Sequence, residues 1–252
     1  MRLDVERLFN EAVTRMGGQV QDHVLMKNSN RPENADYWFP DRNIFAELKC
    51  LTHDLMTDRD FHANLSHRYV EWFRRGLVGR PTRADGQVPF DSLPLECRQE
   101  VHRFIQEKIE RVVNKANKQI KASKAFFEAP TAGALLIIVN DGNFLLQPAS
   151  ALAVIDGIFV NRSKYSNIHY YVYATVNDRI EIGGNSGWLW THGPTRPEWE
   201  GGAREQLARD LSDVIQALIA EKTGVLGQMV DFEPSEEEIK AMTMVKHEHP
   251  DA

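Results

Sequence analysis

The chain has 252 residues, of which 42% are hydrophobic and 26% are charged, a composition typical of globular proteins and sufficient for one large domain. No apolar run reaches the roughly 20 residues that a membrane-spanning helix needs, and two cysteines, Cys50 and Cys97, exclude a disulfide framework. The formal net charge of −6 disfavours nucleic acid as a partner of the chain as a whole.

The N-terminal segment predicts a helix followed by a strand. Apolar residues recur at helical spacing over Leu3–Met16, and the pair Gly17 and Gly18 ends the pattern. The stretch Gln19–Met26 is compatible with a first strand, and the polar stretch Lys27–Glu33 with a loop. The helix therefore presents one apolar stripe to the rest of the molecule.

A β-hairpin follows. Its predicted strands are Asp36–Phe39 and Ile44–Leu51, and the segment Pro40–Asn43 between them has the composition of a turn. Because this turn pairs Phe39 with Ile44, it fixes the register of the two strands along their whole length.

This register brings three charged side chains to one face of an otherwise apolar hairpin. Asp36 falls opposite Glu47, with Cβ atoms roughly 5 Å apart, and period-two alternation puts Lys49 on the Glu47 face. Cys50 lies on the opposite face, where we expect it to be buried. Facing carboxylates repel each other, and a bound divalent cation removes the repulsion. The alternative is a partly exposed strand whose salt bridge contributes under about 1 kcal/mol.

The rest of the chain predicts alternating helices and strands. The predicted helices are Phe61–Arg75, Leu95–Phe127, Pro148–Phe159 and Ala203–Lys222. The predicted strands are Ala132–Val139, buried on both faces, Ile168–Val176 and Arg179–Ile182. The order helix, three strands, long helix, strand, helix, strand indicates an α/β or α+β core with a central mixed sheet.

Three segments do not fit this alternation. We expect loops at Gly76–Pro94, within an insertion over 52–94, and at the aromatic stretch Gly183–Gly202. The acidic residues 231–252 predict a mobile tail after a single domain over 1–230, with a short helix at Ser235–Met244 as the alternative.

Basic residues concentrate in the middle of the chain. Over Phe61–Lys124, 13 Lys and Arg outnumber 7 Asp and Glu, a local charge of +6, whereas the remainder holds 17 Lys and Arg against 29 Asp and Glu. The long predicted helix carries a row of basic side chains, Arg111, Lys115, Lys118, Lys121 and Lys124. The row is either a solvated helix face or a surface that contacts phosphates.

The hairpin and the order of elements resemble the PD-(D/E)xK nuclease superfamily. The core of that family, the restriction-endonuclease-like fold, runs αβββαβ, with an Asp on the second strand and Glu-x-Lys on the third. Glu47-Leu48-Lys49 matches the Glu-x-Lys element, and Asp36 matches the Asp by strand position and by facing Glu47. The literal Pro-Asp pair, Pro40-Asp41, lies at the hairpin tip, out of reach of Glu47. The resemblance spans roughly 3–139 and the later strand.

The resemblance implies the chemistry of the site. Asp36 and Glu47 are expected to bind Mg²⁺ or Mn²⁺, and Lys49 to orient the attacking water and stabilise the anionic transition state. The family's opening helix often offers a glutamate, for which Glu6 is the best match.

Two further positions follow from the same resemblance. Glu11 is the second choice for the helix glutamate, and a solvated helix face is the alternative for both glutamates. Lys118-Gln119-Ile120-Lys121 resembles the polar patch that the family places beside the hairpin, so Gln119 is a candidate assisting residue.

The sequence thus leads to three hypotheses. The first is a metal-dependent DNA endonuclease of the restriction, defence or repair type, cytoplasmic because no signal-peptide pattern is visible, and capable of forming a homodimer to cut both strands. Its candidate phosphate contacts are Arg74, Arg75, Lys118 and Lys121. The second is an inactive nucleic-acid-binding or assembly subunit with the same fold. The third is a small-molecule hydrolase or binder with a pocket at Gly183–Gly202, where Trp188, Trp190 and Trp199 either stack on bases or pack within the protein.

Overall fold

A mixed sheet between two layers of helices forms the centre of the computed structural model. The structure describes residues 2–22, 34–52, 58–80, 92–143, 146–160, 164–182, 185–224, 229–231 and 243–245. The described helices are α1 (Val5–Arg15), α2 (Arg59–Arg74), α3 (Leu95–Phe126), α4 (Pro148–Phe159) and α5 (Gly202–Thr223). The described strands are β1 (Gln19–Val20), β2 (Tyr37–Phe39), β3 (Ile44–Leu51), β4 (Gly133–Asn140), β5 (Tyr170–Thr175), β6 (Arg179–Ile182), β7 (Asn185–Pro194), β8 (Met229–Asp231) and β9 (Thr243–Val245).

The sheet is parallel at its centre and antiparallel at its sides. Strands β3, β4 and β5 run parallel, with α2 and α3 in the first crossover and α4 in the second. On one side β2 and β1 add antiparallel strands, and on the other side β7 pairs antiparallel with β5 and parallel with β8. Strands β6 and β9 extend from the first half of β7. The predicted α/β class with a mixed sheet flanked by helices is confirmed.

Each face of the sheet is covered by its own group of helices. Every residue of β4 is buried, as expected for a central strand between two helical layers. Leu136 and Ile138 point to the core formed with α2, α3 and α4, while Leu135 and Ile137 point to the core formed with α1 and α5. None of the helices in the described ranges is both long and apolar enough to cross a bilayer.

The hairpin forms as the sequence predicts. Phe39 pairs with Ile44 and Tyr37 with Ala46, and the turn is a short 3-10 helix over Pro40–Arg42. It ends in the left-handed region at Asn43 (φ 53°), a conformation that Asn tolerates better than most residues. The turn chemistry therefore sets the pairing on which the site depends.

The aromatic stretch Gly183–Gly202 is not a single loop, and this prediction is wrong. Ten of its residues form β7, and Pro197–Trp199 form a 3-10 helix. Trp188 and Trp190 lie two residues apart on β7, so both side chains are buried on the same face of the sheet, in the core under α1. There the Trp190 ring stacks on Phe9, with ring centroids 6.3 Å apart. The glycines and prolines suggested a loop, but burial of the tryptophans stabilises a strand.

Two terminal predictions also change. The first strand contains only Gln19–Val20, and the chain is helical at Gln21–Asp22. Within the acidic tail, Thr243–Val245 pairs with β6 as strand β9, so Thr243 and Met244 are not part of the alternative helix at Ser235–Met244. The remainder of the predicted tail, the predicted loop 27–33 and residues 81–91 of the predicted loop 76–94 lie outside the described residues.

Candidate metal and catalytic site

The two hairpin carboxylates lie beside each other, held by backbone groups of the opposite strand. The Asp36 N–H donates to Glu47 Oε2 at 3.1 Å, and the Leu48 N–H donates to Asp36 Oδ2 at 2.8 Å. The hairpin register makes both contacts possible, because it places residue 36 against residues 47 and 48. Asp36 and Glu47 are therefore neighbours, as the sequence predicts.

Lys49 and Gln119 complete a polar cluster on the α3 side of the sheet. The Lys49 ammonium forms an ion pair with Glu47 Oε1 and donates to Gln119 Oε1 at 3.0 Å. Gln119 Nε2 donates in turn to the Asn34 carbonyl at 3.2 Å. The structure thus brings together four of the five predicted catalytic side chains: Asp36, Glu47, Lys49 and Gln119.

A second contact from α3 fixes the segment that leads into β2. The Ser123 hydroxyl accepts a hydrogen bond of 2.7 Å from the Ala35 N–H, and Ser123 is fully buried. One helical turn before it, Gln119 holds the Asn34 carbonyl. The position of Asp36 is therefore set by α3 as much as by the hairpin. No sequence pattern indicated that Ser123 contributes to this.

Burial dominates the electrostatics of the carboxylate pair. Glu47 is 0% exposed, and this desolvation, followed by the charge of Asp36, raises the pKa of Glu47 to about 8 although Lys49 opposes the shift. Desolvation also raises the pKa of Asp36, and the Leu48 N–H and the Lys49 charge offset part of the rise. The cluster thus carries an electrostatic cost that a cation between the carboxylates would reduce.

A cavity of about 370 Å³ opens on the α1 side of this cluster. Glu6 and Asn10 of α1 line one wall, and Asp36 and Leu48 line another. The Glu6 carboxylate is close enough to Asp36 to contribute to the rise of its pKa. Glu6 therefore faces Asp36 across the cavity, whereas Glu47, Lys49 and Gln119 are not among the described residues that line it. Asn10, one turn after Glu6 on the same helix, was not singled out from the sequence.

Glu11, the second choice for the helix glutamate, lies elsewhere. Its carboxylate accepts hydrogen bonds from Arg15 at 2.8 Å and from Lys222 at 2.6 Å, between α1 and α5. Asp22, which no motif indicated, lines the cavity instead. The acidic wall therefore combines Glu6 of α1 with Asp22, which follows β1.

Cys50 also lines this cavity, and its predicted burial is wrong. It lies on the face opposite Lys49, as expected, but the residue is exposed because α1 leaves the cavity open there. Desolvation at the cavity wall raises the pKa of the thiol to about 12, and the carboxylates of Asp141, Glu6 and Asp36 add to the shift. The thiol is therefore protonated at neutral pH and is a poor nucleophile.

The predicted phosphate contacts divide into two groups. Lys118 and Lys121 are exposed on α3 next to Gln119. Arg75, at the end of α2, forms ion pairs with Glu96 and with Glu100, the latter at 3.2 Å. Glu100 precedes Gln119 by 19 residues along α3, which corresponds to about 28 Å of helix, so Arg75 and the adjacent Arg74 lie far from the cluster.

The last member of the basic row departs from the prediction. Lys124 is only 7% exposed and does not share the solvated face of Lys115, Lys118 and Lys121. It lies one turn after the buried Ile120, which places it on the buried face of α3. The exposed members of the basic row are therefore Arg111, Lys115, Lys118 and Lys121.

The donor set suits a hard cation with few protein ligands. Within the described ranges, no cluster of three or more His, Cys, Asp or Glu side chains is arranged to hold a metal ion. Asp36 and Glu47 provide two carboxylates, and Mg²⁺ is commonly bound by one or two carboxylates together with waters and substrate phosphates. The chemistry of these residues therefore fits Mg²⁺ or Mn²⁺.

No family model matches the chain, and comparisons with curated proteins and with solved structures gave no match.

Proposed function

We propose that the protein is a Mg²⁺-dependent phosphodiesterase that cleaves DNA internally, with Mn²⁺ as an alternative metal. The observation that carries the proposal is the contact network in which Asp36 and Glu47 adjoin each other while Lys49 bridges Glu47 and Gln119. The order α1, β1, β2, β3, α3, β4 further supports a restriction-endonuclease-like core, with α2 as an insertion.

Each side chain has a defined task in this proposal. When bound, Mg²⁺ supplies Lewis-acid activation of water and neutralises charge at the phosphate. Asp36 and Glu47 would hold the ion. Lys49 donates a hydrogen bond to the attacking water and offsets the negative charge on the phosphate oxygens in the transition state. Gln119 orients the Lys49 ammonium, and Glu6 orients solvent on the opposite wall of the cavity.

The ion pair between Lys49 and Glu47 must open for this chemistry. Because the ammonium is paired with Glu47 Oε1, this carboxylate could help to hold a cation only if Lys49 moved away from it. Lys49 would then be free to turn toward the substrate and could keep its hydrogen bond to Gln119. The cation and the catalytic lysine are thus coupled through one carboxylate.

The exposed lysines of α3 support a polyanionic substrate. Lys115, Lys118 and Lys121 lie three residues apart on the helix that carries Gln119, and Lys115 acts electrostatically on Asp36. Such a row can contact successive phosphates beside the cluster. Cleavage of both strands of a duplex requires two active sites, so we include a homodimer in the proposal.

Incubation of the purified protein with supercoiled plasmid or single-stranded DNA, and with Mg²⁺ or Mn²⁺, tests the activity. We expect metal-dependent nicking or linearisation that chelation abolishes and that Glu47→Gln and Lys49→Met remove. Arg75→Gln is the matched control, since it removes a charge far from the cluster. Cleavage that persists in Lys49→Met would contradict the assignment of Lys49.

A non-enzymatic nucleic-acid-binding subunit is the second candidate, and the complete burial of Glu47 favours it. In that case the cluster is a structural ion pair. Calorimetric titration with Mn²⁺ distinguishes the two: a metal-dependent enzyme binds one ion per site and loses it in Asp36→Ala. Absence of binding, or binding unchanged by that substitution, supports the structural role.

A further inference from the structure

Basic side chains from four elements converge at the amino-terminal ends of β4 and β5. Lys124 belongs to the last turn of α3, His169 immediately precedes β5, Arg196 follows β7, and Arg204 is in the first turn of α5. The Arg204 side chain packs at the start of β4, where a Cβ on Gly133 would be 3.4 Å from Arg204 Cγ. We call Lys124, His169, Arg196 and Arg204 the basic pocket.

The Trp199 ring contacts two members of the basic pocket. Its ring centroid lies 4.3 Å from that of His169 and 4.4 Å from the guanidinium carbon of Arg196. A guanidinium over an indole face is a favourable arrangement. Because His169 and Arg196 both contact the ring, Trp199 positions these two groups and is not an open platform for a base.

Lys124 is the member that requires an explanation. It is 7% exposed, and among the described residues no hydrogen bond or ion pair engages its ammonium. Burial lowers the pKa of Lys124 to about 8, and the neighbouring Arg204 guanidinium lowers it further. The Lys124 side chain is largely removed from solvent, which is costly for a charged group, and the nearest described charge, that of Arg204, repels its ammonium.

Two further polar atoms in the basic pocket are buried without a partner. These are Nδ1 of His169 and Nε of Arg204. Burial, followed by the charges of Lys124, Arg204 and Arg196, lowers the pKa of His169 to about 3. Since all three of these charges are positive, the basic pocket has a strongly positive potential in a desolvated setting.

Carboxylates are close but do not neutralise the basic pocket. Glu198 lies 3.8 Å from Arg196 on the exposed side of the loop, and Glu205 is engaged by Arg209 at 3.0 Å. Neither is among the groups that shift the pKa of Lys124 or of His169. Among the described residues, no carboxylate contributes to the pKa shift of Lys124.

The amino end of α5 adds donors to the same place. This 22-residue helix has no side-chain cap at Gly201, and Gly201 and Gly202 have φ values of 73° and 74°. Apart from neighbouring backbone, no atom lies within 4 Å of the position of a Cβ on either glycine, so both glycines border open space. Unsatisfied N–H groups and the helix dipole favour an anion at such an end.

We propose that the basic pocket binds a phosphate monoester or inorganic phosphate. A doubly charged tetrahedral anion can accept hydrogen bonds from Lys124, from the guanidinium fork of Arg204 and from the first N–H groups of α5 at the same time. A continuous phosphodiester backbone does not fit, because Lys124 is too deeply buried for a polymer lying on the surface. The ligand is a free phosphate, a phosphorylated small molecule or the terminal phosphate of an oligonucleotide.

The test is calorimetric titration of the full chain with sodium phosphate at pH 7 and constant ionic strength, with a thermal-shift series in parallel. We expect the wild type to bind phosphate and to melt at a higher temperature with it. Lys124→Met, which keeps an apolar stem of similar length, and Arg204→Gln should each weaken binding about tenfold or more, since each loses a charge-assisted hydrogen bond. Lys108→Met, which removes a lysine 16 residues earlier on α3 and about 24 Å away along the helix, should bind as the wild type does.

The outcomes separate the proposal from its alternatives. No binding by the wild type at millimolar phosphate, or equal binding by Lys124→Met, Arg204→Gln and the wild type, would overturn it. If Lys124→Met does not fold, Arg204→Gln alone decides. Titration with matched 5′-phosphorylated and 5′-hydroxyl oligonucleotides, and with a phosphorylated sugar, identifies the source of the phosphate. The result does not depend on nuclease activity, because no residue of the basic pocket belongs to the Asp36–Glu47 cluster.

Discussion

The backbone N–H of Asp36 donates to the Glu47 carboxylate, while the Asp36 carboxylate accepts from the backbone of Leu48. This reciprocal pairing positions two acids whose charges repel each other. Burial and neighbouring negative charges disfavour the charged forms, so the pKa values of both Asp36 and Glu47 are raised. We propose that a cation relieves this repulsion, and the predictions below test that proposal.

Cation affinity should depend steeply on pH. Because the pKa of Glu47 is raised to about 8, Mn²⁺ must displace a proton at lower pH, so the apparent affinity should rise about tenfold per pH unit up to about 8 and then level off. Calorimetry at pH 6, 7, 8 and 9 measures this. A flat profile would show that Glu47 is already ionised or is not a ligand. Arg75→Gln should reproduce the wild-type profile.

The same carboxylate should make stability fall as pH rises. Glu47 has a higher pKa when folded than when unfolded, near 4.5, so between about 4.5 and 8 the folded state binds more protons than the unfolded state. The free energy of unfolding attributable to Glu47 therefore declines over that window, by up to about 1.4 kcal/mol per pH unit. Urea denaturation at pH 5 and pH 8 should show a smaller decline in Glu47→Gln than in the wild type.

Lys49→Met should separate cation binding from turnover. The substitution removes the ammonium that competes for Glu47 but retains the apolar stem, so we expect Mn²⁺ binding to persist at pH 8. Loss of one charge that stabilises the transition state should lower the rate of DNA cleavage by about 10² to 10³. Single-turnover cleavage with saturating Mn²⁺ provides the measurement, and loss of both properties together would point to a structural role for Lys49.

Ser123→Ala should destabilise the fold and loosen the site. It leaves the buried Ala35 N–H without an acceptor, which should lower the free energy of unfolding by about 1–3 kcal/mol. Thr14→Ala is the control, because the Thr14 hydroxyl donates to the Asn10 carbonyl at an exposed position and its loss should change stability by under about 0.5 kcal/mol. Equal effects in urea denaturation would show that the Ser123 contact is not the cause.

Local patterns predicted the parts of the molecule that are governed by local physics. The turn at Pro40–Asn43 defined the hairpin register, and with it the Asp36–Glu47 pairing. The helices over 95–126 and 148–159 followed from apolar spacing and from proline at the start of the second. The continuous apolar run before Asn140 gave β4.

Features that depend on distant packing could not be predicted in this way. The glycines and prolines of residues 183–202 predicted a loop, but β7 forms there because Trp188 and Trp190 are buried beneath α1. Lys124 looked like part of a solvated row, but its burial follows from the way that α5 begins beside the end of α3. The exposure of Cys50 likewise depends on how α1 crosses the sheet.

The placement of the two acids on strands of unequal length has a consequence for motion. Glu47 lies in β3, which has eight residue pairs with β4 alone, whereas Asp36 leads into the three-residue β2. Amide hydrogens around Glu47 should exchange only on global unfolding, while those near Asp36 should exchange through local openings. Glu47 thus lies on a rigid strand and Asp36 on a segment that opens more readily, so a cation that bound both carboxylates would slow the local opening at Asp36.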